Sequence, residues 1–91
     1  MKNNLFVSYD LMKQGQNYEA IEDAIKSLGD WARVTQSFFY VSTSFSLKEA
    51  FDKVNKSIDK NDKLMIIDAK NAYWIHLPEK VSTYIKENWN R

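Results

Sequence analysis

Between Leu5 and Asp68 the apolar residues change spacing in a fixed order, alternating like strands at Leu5–Asp10, Trp31–Thr35, Phe38–Ser42 and Lys63–Asp68 and recurring at helical spacing between. That order, β-α-β-β-α-β, admits few folds. The first helical segment repeats at Tyr18, Ile21, Ile25 and Leu28, with Glu19, Glu22, Asp23 and Lys26 on its other face. Asn17 stands at its N-cap position, and Gly29 stands where a left-handed C-terminal residue is expected. The second repeats at Leu47, Ala50, Phe51, Val54 and Ile58, opened by a Ser46/Glu49 capping box. Only Gln36-Ser37 separates the middle strands, so they pair as an antiparallel hairpin. Neither turn residue is Gly or Asn, which predicts a bulge or a wider turn rather than a tight one.

Right-handed crossovers applied to the two β-α-β halves give an α+β fold, the ferredoxin-like sandwich with spatial strand order 4-1-3-2. Both helices then cover one face of the sheet. After this core (residues 1–68) comes an extension (69–91) within the same single domain (1–91). In it Ala72 to Leu77 reads as a short edge strand, and Pro78 opens a last helix with Val81, Tyr84, Ile85 and Trp89 on its apolar side. The extension or a second subunit must cover the other face.

A chain of 91 residues is one domain and buries only about 60–65% of its unfolded surface. With three Trp, five Tyr and five Phe, some rings are expected to want a partner, and a homodimer is the economical one. No apolar run is long enough to cross a bilayer, and the Leu5-Phe6-Val7 stretch behind Met1 is short for a signal peptide, so a cytoplasmic protein is expected. Cysteine is absent and His76 is the one histidine, which excludes thiolate zinc sites, cysteine nucleophiles and histidine triads. A net charge of +1 argues against nucleic-acid binding through bulk charge, though not against a local patch. No glycine-rich phosphate loop is present.

Strand direction places Tyr9-Asp10 near the Gln36-Ser37 turn and the entry to the fourth strand, Asp62-Lys63. Asp68 falls at the other end, about 15–20 Å away, so it cannot pair with Asp10 in one subunit. Alternation puts Leu5, Val7 and Tyr9 under the helices and Phe6, Ser8 and Asp10 on the opposite face. Across a two-fold axis on that face, Asp10 can meet Asp10 of a second copy. Facing carboxylates repel unless they share a proton or hold a cation, here Mg2+ or Mn2+. Asp is also a common loop residue, and an end-of-strand cap is the plainer use. Ser37 can contact a phosphate or bond its own backbone. Lys13, Arg33 and Lys63 form a weak candidate patch for a nucleic-acid backbone, or are simply solvated. Trp31, Phe38, Phe39 and Tyr40 can stack bases on an exposed sheet or pack in a core.

The strand ending Tyr9-Asp10-Leu11, the helix after it, and Arg33-Val34-Thr35-Gln36-Ser37-Phe38-Phe39-Tyr40-Val41 resemble a known family. They are similar to the small CRISPR-associated endoribonuclease that partners the CRISPR integrase, and to VapD-like proteins. The resemblance covers residues 4–68. It implies a homodimer with sheets face to face, a divalent cation on Asp10 of each chain, and cleavage of single-stranded RNA or DNA by a metal-activated water, with a carried-over role for Ser37. It also implies a possible protein partner, since some relatives act chiefly as adaptors. After the aspartate the family usually carries an arginine cluster, whereas residues 12–17 of this chain hold one lysine.

Overall fold

The computed structural model describes residues 2–12 and 18–89; the expected roles of Lys13 and Asn17 fall outside them. Its elements run β1 (Asn3–Asp10), α1 (Tyr18–Lys26), β2 (Asp30–Thr35), β3 (Phe38–Thr43), α2 (Leu47–Asn55), β4 (Lys63–Asp68) and α3 (Glu79–Asn88). The sheet order is β2-β3-β1-β4, with every neighbouring pair antiparallel. This is the ferredoxin-like topology, read from the other edge. The β2–β3 hairpin carries the expected irregularity: Arg33 pairs with Phe39 and Thr35 with Phe38, so Val34 is bulged out of the ladder.

Alternation sorts the side chains into two cores. Leu5, Val7, Tyr9, Phe39 and Val41 face α1 and α2, where Ile21, Ile25, Leu28, Ala50 and Val54 meet them, all buried. Each such aliphatic side chain contributes about 1.5–3 kcal/mol through burial. The Ser46 hydroxyl accepts from the Glu49 N–H, and the Glu49 carboxylate accepts from the Ser46 N–H, closing the capping box of α2.

The opposite face is covered by the chain itself. Ile85 of α3 is fully buried against Ala32 and Tyr40, and Phe6, Val34, Trp74, Leu77, Val81, Tyr84 and Trp89 pack around them. Trp89 stacks on Tyr40 at 5.8 Å and 12°. Face-to-face packing of two whole sheets is thereby blocked over β2 and β3. What stays open lies along β4, where Met65 (63% exposed) and Ile67 (45%) project.

Ala72 to Leu77 forms no strand, a correction to the sequence-based expectation. The Ala69 N–H still bonds the Asn4 carbonyl at 2.8 Å, but beyond it the chain leaves the sheet edge. It turns Trp74 and Leu77 onto the open face while Tyr73 and Ile75 stay exposed. Trp74 Nε1–H donates to Ser82 Oγ at 2.9 Å, so the segment is tied to α3 by side chains rather than by a ladder. His76 then takes φ 64°, an unusual left-handed value for a histidine, just before α3 begins. The reading of Gly29 as a left-handed cap is also corrected. Its φ lies outside that region, and the position needs glycine because a Cβ there would run into the Ser42 carbonyl.

Candidate functional site

β1 ends at the rim of the sheet. The Tyr9 N–H donates to the Ser37 carbonyl at 3.2 Å, docking the Gln36–Ser37 turn on one side of the strand end. On the other side Asp10 lies directly across from Lys63 in the β1–β4 register. Just beyond, Asp62 organises the approach to β4: one carboxylate oxygen accepts from the Met12 N–H at 3.0 Å and the other from the Asp59 N–H at 2.9 Å. Asp10, Ser37 and Lys63 thus meet at one end of the sheet, as strand direction predicts. Asp68 pairs with Leu5, far along the sheet from Asp10.

Asp10 is exposed and shares the open face with Phe6 and Ser8. Its carboxylate forms no hydrogen bond or ion pair with the described residues. Among those residues no three acidic or histidine side chains gather as a metal-ligand group. A single exposed carboxylate is a hard oxygen donor that suits Mg2+ or Mn2+, which commonly take one or two carboxylates and complete their shell with water and phosphate oxygens. The donor set therefore fits such an ion only when a second copy or a bound phosphate supplies the remaining ligands.

Arg33 sits elsewhere. It belongs to the helix-side face of the β2 edge, whereas Lys63 projects from the open face of the β4 edge, so the two do not make one basic patch. Its Nη2 pairs with Glu22 Oε1 at 3.0 Å, its Nη1 donates to the Gln36 carbonyl at 2.7 Å, and its guanidinium covers the Phe39 ring at 4.6 Å. The Tyr9 hydroxyl donates to Glu22 Oε2 at 3.0 Å. These bonds clamp the Gln36–Ser37 turn against α1 and make Arg33 a positioning residue. Nothing in the sequence pattern announced the clamp, because Glu22 reads as an ordinary polar position of α1. Two of the base-stacking candidates are core residues, Phe39 and Tyr40, fully buried on opposite faces; Phe38 is half-buried and stacks on Phe6, and Trp31 is exposed on the helix-side face with its ring beneath the Lys26 amine.

The clamp has an electrostatic signature. Burial and the neighbouring Glu22 carboxylate push the Tyr9 phenol up from 10.0 to about 12. Hydrogen bonds from Arg33 hold the Glu22 carboxyl below its ordinary value. A raised phenol pKa stabilises the fold below pH 10 and loses that contribution as pH climbs toward about 12; a lowered carboxyl stabilises above its ordinary pKa and is lost in acid. Denaturant titrations at pH 9 and 11.5 are expected to show an alkaline loss of stability that is smaller in Tyr9→Phe than in the parent. An equal loss in both proteins excludes Tyr9 as its source.

The fold and rim define a ferredoxin-like α+β protein with an exposed aspartate at the end of its first strand, whose carboxylate pairs with none of the described residues. No protein-family model and no curated protein matches the chain. Among solved structures it is similar to a hypothetical protein from Thermus thermophilus, 21% identical, with a TM-score of 0.64 over 86% of this chain and 96% of that one. At this identity the likeness establishes the shared fold alone. No helix among the described residues is long and apolar enough to cross a membrane.

Proposed function

We propose that two copies of this chain associate along the uncovered part of the open face and bring their Asp10 carboxylates together as a Mg2+ or Mn2+ site that hydrolyses single-stranded RNA or DNA in the cytoplasm. The observation that carries the reading is Asp10 itself, an exposed carboxylate without an ion-pair partner among the described residues, beside the exposed apolar side chains of β4. The resemblance to the CRISPR-associated endoribonucleases and VapD-like proteins, drawn on the residues around Asp10 and Ser37, supports the same reading. A divalent cation held there lowers the pKa of a bound water and offsets charge building on a phosphate oxygen. Lys63 across the ladder attracts the phosphate, and the clamped turn holds Ser37 at the same rim. Lys13, three residues after Asp10 in the sequence, is proposed as a second contact to the nucleic-acid backbone.

A second reading is a non-catalytic adaptor for nucleic acid or a protein partner. It is favoured by the engagement of the partly exposed Arg33, whose guanidinium pairs with Glu22 and donates to the Gln36 carbonyl. Cleavage of single-stranded RNA and DNA with Mg2+ or Mn2+ separates the two. The wild type is expected to cleave, and Asp10→Ala to lose more than about 100-fold. Equal traces of activity in both proteins would support the adaptor and remove the catalytic reading.

A further inference from the structure

The end of the molecule away from Asp10 holds a cleft that the rim chemistry does not use. Trp74 and Trp89 wall it, with Asn71, Ala72 and Lys86, around a volume of about 290 Å³. It adjoins a larger hollow of about 530 Å³ reaching Asn3 and Asn4 at the start of β1. Both indoles are held in place beforehand, Trp74 by its bond to Ser82 and Trp89 by stacking on Tyr40 and packing against Phe6. Lys86 is exposed and has no carboxylate within ion-pairing distance among the described residues, and Asn71 presents an exposed amide.

Fixed indole faces, an amide that both donates and accepts, and an exposed cation correspond to the parts of a nucleotide: a planar base, its polar edge and its phosphate. We propose that this cleft binds a nucleotide of a single-stranded nucleic acid, with the base on the indoles, the base edge at Asn71 and the phosphate at Lys86. The inference extends the proposed function by naming a docking point for the strand, roughly 20 Å from Asp10 along β1. Its residues are separate from the rim.

Indole N–H resonances of protein labelled with ¹⁵N-tryptophan test it, because Trp31, on the helix-covered face, serves as an internal control. Titration with a uridylate dodecamer is expected to shift Trp74 and Trp89 saturably and to leave Trp31 in place. Trp74→Ala strips packing from the sheet, so the exposed Lys86→Glu is the informative variant; it should weaken binding about tenfold or more while the melting temperature falls by only a few degrees, the cost of reversing a charge in the last turn of α3. Tighter binding of the dodecamer than of uridine monophosphate supports a strand as the occupant, and equal affinity assigns the cleft to a free nucleotide instead. Absence of shifts, parallel movement of Trp31, or unchanged affinity in Lys86→Glu overturns the proposal. Asp10→Ala keeps the rim out of this measurement: cleavage without indole shifts removes the cleft alone, and shifts without Asp10-dependent cleavage remove the nuclease alone.

Discussion

Gly29→Ala is expected to cost about 3 kcal/mol of stability, the range of an overpacked interior position, although Gly29 itself lies exposed at the surface. The reason lies in the direction a Cβ would take. It would point at the Ser42 carbonyl, with the Thr43 Cα 3.2 Å away, and both are backbone atoms of a central strand that cannot swing aside as a side chain does. The two segments are also bonded there, since Thr43 Oγ1 donates to the Leu28 carbonyl at 2.6 Å. At roughly 4–8 °C per kcal/mol for a domain of this size, the melting temperature should fall by more than about 10 °C. An open, unstrained glycine would respond in the opposite direction, because alanine restricts the unfolded chain and stabilises by about 0.4–1 kcal/mol. A left-handed cap would tolerate Gly29→Asn better than Gly29→Ala. Close approach predicts that Asn is no better. A melting temperature unchanged or raised in Gly29→Ala would contradict the packing described.

The same position shows where a single sequence stops being informative. Local patterning placed all four strands, all three helices and the strand order because each element carries its own rhythm; β4 spans Lys63–Asp68 as its apolar run implies, and α3 begins directly after Pro78. Gly29 follows a helix in the manner of a C-cap, and only the approach of β3, thirteen residues on, reveals its other purpose. Tyr73, Trp74 and Ile75 alternate in a way that fits an edge strand and a face-crossing segment equally; Leu77, which strand parity would put on the side of Tyr73 and Ile75, packs with Trp74 instead. Tertiary contact with α3 decides between them. At the rim, strand direction and parity were enough to bring Asp10, Ser37 and Lys63 together. Arg33 was misplaced because the pattern does not show that Glu22, one helix away, would take its charge. The covering of the open face by α3 has a functional consequence. It confines a second copy that packs directly on that sheet face to β4 and the end of β1, the region where Asp10 lies.

That confinement makes the two-copy site testable by means other than activity. Two facing carboxylates oppose association in the absence of a cation and favour it once the cation is bound, so dimerisation and metal binding are linked. Wild-type protein in sedimentation velocity is therefore expected to dimerise more tightly as Mg2+ or Mn2+ rises. Asp10→Asn removes both charges, and its self-association should be stronger than the wild type without metal and indifferent to metal thereafter. Subunit mixing then counts the ligands. Equal amounts of wild type and Asp10→Ala, unfolded together and refolded, give about one quarter wild-type dimers, one half hybrids and one quarter double variants in a symmetric dimer. Cleavage should drop to about one quarter of the wild-type value if each site needs Asp10 from both chains, and to about one half if each chain works by itself. Mg2+ demands near-octahedral geometry and gives up its waters reluctantly, so a hybrid with one carboxylate holds it more weakly and falls with the inactive fraction. Retention of half the activity, or metal-independent association of the wild type, would place any chemistry of this chain on a single subunit and leave the paired Asp10 site without support.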